Sequence, residues 1–251
     1  QHQLMHKNSQ NSLYVKDKDK IKFLNHYSKA TKLSLDLINM PANELNPLTF
    51  NNIVKNHKLF SKFYFKKYTN SQIKKLFPLT YAVGKSSNIH PEFLQVSNKK
   101  INNKDQPIVI IGKGVTFDTG GVNIKPGNSM RNMKKDMGGA SIALSLFLLS
   151  SYLLKKSKIV LLIPIAENSI SSKAMRPGDV YNSRSGKTVE VSHTDAEGRL
   201  LLADAMELAN ELNPSIIIDF ATLTGAARVA LGEDLPAYFC NDEPTIKKIE
   251  M

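Results

Sequence analysis

The chain has 251 residues, 41% of them hydrophobic and 22% charged, enough to bury a good core in one or two domains of a soluble globular protein. No apolar run approaches the ~18 residues of a membrane span, and the polar, lysine-rich opening stretch does not read as a secretory signal. Thirty-four Lys and Arg against 22 Asp and Glu leave a formal charge of +12; the lysine clusters at 16–22, 66–75 and 155–158 would suit nucleic acid, but no interleaved aromatics or DNA-binding spacing accompany them, so a solvated lysine-rich surface is the preferred reading.

In chain order, residues 1 to about 32 read as a flexible or helical lead-in. Apolar spacing from Ala30 to Ile38 predicts a helix that stops at Met40-Pro41. Thr49 is placed as the cap of a short helix through Asn56. Phe60–Tyr68 reads as a strand, Ser71–Leu76 as a short helix, Tyr81–Lys85 as a turn, and Glu92–Val96 as a strand. Pro107–Ile111 is a continuous β-branched run followed by glycines, the pattern of a strand buried on both faces. Its carboxyl end delivers Lys113, where open α/β sheets bind ligands.

Asn132–Leu154 reads as one long buried helix whose Gly138-Gly139 allows close backbone packing. Lys158–Ile165 is a further buried strand, Ser169–Tyr181 a loop, and Lys187–Val191 a strand leading into an acidic loop. Arg199–Leu212 is helical, Ile216–Phe220 is a strand, and Pro236–Cys240 is read as another. Cys240, the one cysteine, excludes an internal disulfide and is expected to be a buried thiol in a reducing compartment. Strands alternating with helices of this length predict an α/β sheet covered on both faces.

Two stretches carry the chemistry, Gly112–Gly121 continuing to Lys125 and Asp136, and His193-Thr194-Asp195-Ala196-Glu197-Gly198-Arg199. They supply four carboxylates, Asp118, Asp136, Asp195 and Glu197, together with Lys113, Lys125 and Arg199. Converging acids repel in a low-dielectric site. Protonation would relieve that, and so would two divalent cations, which neutralise four carboxylates charge for charge and take oxygen ligands. Asp195 and Glu197, two apart, share a face if the segment is extended, with Gly198 permitting a tight turn. Apart from His193 in the acidic stretch, the histidines, at 2, 6, 26, 57 and 90, are scattered, and the sequence has no His-Glu-x-x-His, nucleophile-elbow or phosphate-loop spacing.

At these residues the sequence resembles the leucyl aminopeptidases. The match runs through Gly112-Lys113-Gly114, Thr116–Gly121, Lys125, Met133, Asp136–Ala140, Thr194–Leu200 and Ala221–Ala226, in order and at the expected spacing. The resemblance implies a three-layer α/β/α sandwich around a mixed, mostly parallel sheet, incomplete at its carboxyl end. Residues 1–35 would be a lead-in from a missing amino-terminal domain, and 36–251 a partial metallopeptidase catalytic domain. His193 stands where asparagine is common in the family.

By resemblance, one metal is held by Asp118, Asp195 and Glu197 and a second by Lys113, Asp118, Asp136 and Glu197; zinc or manganese would serve. Lys113 must be neutral to ligate; a salt bridge to one of the acids is the alternative. Lys125 would stabilise the oxyanion and Arg199 hold a bicarbonate, or else pair with Asp195 or Glu197. Met133, Thr222, Leu223 and Gly225 match pocket positions that favour an apolar first residue. The activity implied is metal-dependent release of amino-terminal leucine and similar residues from peptides by a cytoplasmic hexamer, without a membrane partner. A DNA-binding accessory role, or a catalytically incomplete fragment, is the alternative.

Overall fold

The structure, a computed structural model, describes residues 17–250; residues 1–16 of the expected lead-in lie outside the described residues. The rest of that lead-in and the helix expected from Ala30 are one helix, α1 (Lys18–Asn39), capped by the Asp17 carboxylate, which accepts the Asp19 and Lys20 N–H groups. Its exposed face is rich in lysine, but Ala30, Leu33 and Leu37 form a buried stripe at helical spacing. Helix α2 (Pro47–Asn56) corrects the expected cap. Asn46 caps it, and Thr49 is the reciprocal partner, donating its N–H to Asn46 Oδ1 (3.0 Å) while its Oγ1 accepts the Asn46 N–H (2.8 Å).

The strand expected over Phe60–Tyr68 shrinks to β1 (Tyr64–Lys66), because Phe60 closes a 3₁₀ turn and packs against Phe63 and Phe147. Helix α3 (Asn70–Leu76) is followed by α4 (Pro78–Gly84), which replaces the turn expected over Tyr81–Lys85. Pro78 fits the first helical turn, and Leu79, Ala82 and Val83 bury one face. Strands β2 (Glu92–Ser97), β3 (Ile108–Gly112) and β4 (Gly114–Asp118) come next. A 3₁₀ turn over Met133–Met137 runs into α5 (Gly138–Leu153), dividing the single helix expected there. Then come β5 (Ile159–Asn168), the hairpin β6 (Val180–Asn182) and β7 (Thr188–Glu190), α6 (Glu197–Glu211) and β8 (Ile216–Phe220).

The main sheet has the order β1-β2-β5-β3-β8, with β4 also paired to β5. β3 lies parallel to β5 and β8, and β4 parallel to β5, while β2 is antiparallel to β1 and β5. Alternation along the strands feeds two layers of core. Ile110, Leu161, Ile163 and Leu94 face α1, α2 and α5, whereas Val109, Ile111, Val160, Leu162 and Phe93 face α3 and α6. The expected α/β architecture, a mixed sheet between helical layers, is therefore observed. Met133–Leu153 is long and apolar enough to suit a bilayer by length and composition, but its inward face packs on this sheet.

The described chain divides into two compact units, 17–221 and 222–250. The second contains α7 (Ala226–Leu231) and α8 (Glu243–Ile249). Pro236–Cys240 is irregular, contrary to the expected strand: among the described residues of this unit no other strand offers it a ladder. Phe239 is 99% exposed, and Cys240 is only half-buried, where a buried thiol was expected.

Candidate metal centre

The site forms at the carboxyl ends of the parallel strands. β3 runs out at Gly112, the chain breaks pleat at Lys113, and β4 then ends on Asp118. The Lys113 N–H donates to Phe220 O, and its carbonyl accepts the Ala140 N–H, both at 2.9 Å. Glycine permits this contact of backbone on backbone. A Cβ on Gly112 would lie 2.5 Å from Ala140 Cα, and one on Gly139 would lie 2.2 Å from Phe220 O. The result is that Asp136, in the turn ahead of α5, stands over Lys113.

Beyond β4 the chain doubles back through Gly120 and Gly121, whose φ angles of +86° and +67° suit glycine. Lys125 N–H then donates to Thr119 O (2.9 Å). Asn123 and Thr194 lock this loop to the acidic one: Asn123 N–H donates to Thr194 Oγ1, and Thr194 N–H to Asn123 Oδ1, each at 2.8 Å. Thr194 Oγ1 also donates to Gly120 O (2.6 Å).

Asp195 and Glu197 are not in one extended segment as expected. Asp195 lies in a turn and Glu197 is the first residue of α6, where the positive helix terminus favours a carboxylate. Gly198, expected at a tight turn, is helical and clears space for Lys113, whose Cε would sit 2.6 Å from an added Cβ. Further along α6 the buried Asp204 carboxylate accepts N–H groups from Leu79 and Thr80, 2.9 Å each, and Arg184, 3.1 Å. Arg184 also donates twice to Glu211. These contacts fix α6, and hence Glu197, against α4 and the β6–β7 hairpin.

All four carboxylates meet the two lysines. Lys113 Nζ lies 2.7 Å from Asp136 Oδ2 and 3.0 Å from Glu197 Oε1. Lys125 Nζ lies 2.7 Å from Asp118 Oδ2 and 2.5 Å from Asp195 Oδ1. Four acids against two ammonium groups leave two formal negative charges in a largely buried site. Burial, opposed by Lys113 and reinforced by Asp118 and Asp136, pushes Glu197 up to about 7. Burial likewise raises Asp195 against the pull of Lys125. For Lys113 burial works downward, but Glu197 and Asp136 outweigh it and the ammonium is held above its ordinary value. Lys125 is raised in the same way by Asp118 and Asp195.

The residues fit a cation. Asp118, Asp195 and Glu197 each offer an oxygen within 4.8 Å of the others. Glu197 Oε2 is buried without a hydrogen-bond partner, a costly state that a metal ion would end. The donor set is oxygen-rich, as hard cations require. Arg199 is exposed on the first turn of α6, and its guanidinium makes no ion pair among the described residues, so the pairing with Asp195 or Glu197 held open from sequence is not formed. Met133 is half-buried at the start of the 3₁₀ turn. Thr222, Leu223 and Gly225 belong to the second unit, where each is exposed. Sequence reasoning missed Asn168, whose side chain is buried between Asp118 and Thr194.

An α/β sheet with four carboxylates gathered at its strand ends defines the class, an α/β protein with a candidate cation site at the rim where such sheets bind ligands. Residues 32–251 match the cytosol aminopeptidase family, catalytic domain, and the chain belongs to that family. A probable cytosol aminopeptidase of Aquifex aeolicus is 40% identical over 228 residues, covering 90% of this chain and 46% of that protein. The crystal structure of the cytosol aminopeptidase from Coxiella burnetii superposes with a TM-score of 0.82 at 40% identity, covering 92% of this chain and 50% of the other. The bottromycin maturation enzyme BotP, in complex with Mn, gives a TM-score of 0.79 at 31% identity, covering 90% and 51%. The chain spans about half the length of these relatives.

Proposed function

We propose that the protein carrying this chain is a metal-dependent aminopeptidase that releases apolar amino-terminal residues, leucine among them, from peptides. The convergence of Asp118, Asp195 and Glu197 on one point carries this reading, and membership of the family supports it. In this reading one site comprises Asp118, Asp195 and Glu197, and the other Lys113, Asp118, Asp136 and Glu197. Zinc or manganese fits the oxygen donors; the Mn in the related BotP complex favours the second. Ligation by Lys113 requires its ammonium to lose a proton and leave its carboxylate partners.

Bound divalent cations would supply Lewis-acid polarisation and lower the pKa of water. The carboxylates hold the charge balance and orient the cations. Lys125, an ammonium held by Asp118 and Asp195, is positioned to stabilise the negative charge that develops on a peptide carbonyl oxygen. Arg199 is always protonated, so it serves by holding an anion, bicarbonate in this reading, and not as a base. Met133, half-buried in the turn ahead of α5, is the residue of the first unit that we favour for contact with an apolar first side chain. A cytosolic homo-hexamer is the assembly we favour for the whole protein.

The test is hydrolysis of leucine amide by the purified protein. Release that is abolished by chelator and restored by zinc, manganese or cobalt is expected; release indifferent to chelator would overturn the reading.

A further inference from the structure

We propose that Asn168 is a positioning residue for the metal site: its side-chain amide fixes which oxygen of Asp118 is offered to the cations and ties the acidic loop to that choice. This rests on the metal-dependent reading above. Asn168 ends β5 and is 1% exposed. Its Nδ2 donates to Asp118 Oδ1 at 2.8 Å and to Thr194 O at 3.1 Å. A primary amide has two N–H donors, so both are spent. The Asn168 main-chain carbonyl accepts Thr119 N–H (3.0 Å) and the Thr119 hydroxyl (2.9 Å). One residue therefore grips the end of β4, the glycine loop and the acidic loop.

The consequence falls on Asp118. Its Oδ1 also accepts Gly120 N–H at 2.9 Å, so two neutral donors occupy that oxygen. Oδ2 is turned instead toward Lys125, 2.7 Å away, whose ammonium also holds Asp195 Oδ1 at 2.5 Å. Rotation of the Asp118 carboxylate would break both bonds to Oδ1. The Asn168 grip on Thr194 O sets the residue immediately before Asp195. Outer-shell hydrogen bonds of this kind tune ligand orientation, and their loss costs about 10–100-fold in metal affinity.

Only an amide of this length performs the task. An aspartate here would set a second carboxylate 2.8 Å from Asp118 and donate nothing; a leucine fills the volume but leaves Asp118 Oδ1 and Thr194 O short of a donor. A purely structural Asn168 would instead act only as a staple between loops. The Asn123–Thr194 pair is such a staple, close by and touching none of the four carboxylates.

The experiment is titration calorimetry with Mn²⁺ on the wild type, Asn168→Asp, Asn168→Leu and Asn123→Ala, with folding checked by circular dichroism in chelator. The Asn168 variants are expected to bind Mn²⁺ about 10–100-fold more weakly, while Asn123→Ala loses thermal stability and keeps its affinity. Should neither Asn168 variant fold, Asn168→Ser, with one short donor in a smaller side chain, takes their place with the same expectation. Wild-type affinity in the Asn168 variants, or an equal loss in Asn123→Ala, overturns the positioning role and leaves the metal reading standing. Failure of the wild type to bind Mn²⁺ overturns both.

Discussion

Without metal, the protein is expected to lose stability as pH rises through neutrality, and Glu197 to be a main source of the loss. The Glu197 carboxyl is held at about 7 in the folded chain against 4.5 as its ordinary value. Between these values the folded state binds more protons than the unfolded one, so stability falls as pH increases. The contribution is fully present below about 4.5 and gone above about 7. The interval of about 2.5 pH units, at about 1.4 kcal/mol each, amounts to about 3.5 kcal/mol in all, most of it between pH 5 and pH 8. Glu197→Gln removes the titrating group while keeping its volume. Urea unfolding followed by circular dichroism in excess chelator, at pH 5 and pH 8, measures the effect. The stability difference between wild type and variant should move by about 2.5 kcal/mol across that range, toward the variant at high pH. Parallel pH profiles would refute the reasoning, because they would mean that Glu197 is ionised in the folded state as freely as in water.

The remaining predictions concern single side chains. Asp118→Asn should reduce divalent-metal affinity by more than the about 100-fold of an outer-shell change and abolish leucine-amide turnover, read by calorimetry and kinetics on the same sample. Lys125→Ala should lower turnover about 10²–10³-fold with circular dichroism unchanged in the presence of metal; collapse of the spectrum would make Lys125 structural. Gly139→Ala should cost about 3 kcal/mol, seen as a lowered Tm, because its Cβ would lie 2.2 Å from the fixed Phe220 carbonyl oxygen.

The strands β3 and β5 were legible because they are buried on both faces and written as nearly continuous apolar runs, and β8, only partly buried, because it opens on Ile216-Ile217-Ile218. Helix α4 was misread because Gly84 and Lys85 look like a turn, while its real signal, Pro78 at the first position, is the weaker one. The apolar run Pro236–Cys240 suggested a strand, but apolarity does not supply a ladder partner. The four acids and two lysines were legible from residue type and from the resemblance together. Their positioning was not. Asn168 reaches Asp118 across 50 residues, Asn123 reaches Thr194 across 71, and Leu79 reaches Asp204 across 125. Hydrogen bonds that close such long loops leave no local pattern, and an asparagine at a strand end has the look of an ordinary loop residue. The division of labour at Asp195 and Glu197 was hidden for a related reason. The onset of α6 at Glu197 depends on packing against Lys113, which the local sequence does not express.

Whether the carboxylates cage cations is tested most directly by anomalous diffraction from crystals of the protein grown with Mn²⁺. Two manganese peaks are expected, both within the ring of Asp118, Asp136, Asp195 and Glu197. Manganese absent from that ring, with the four side chains still paired to Lys113 and Lys125 at saturating metal, would contradict the proposed site.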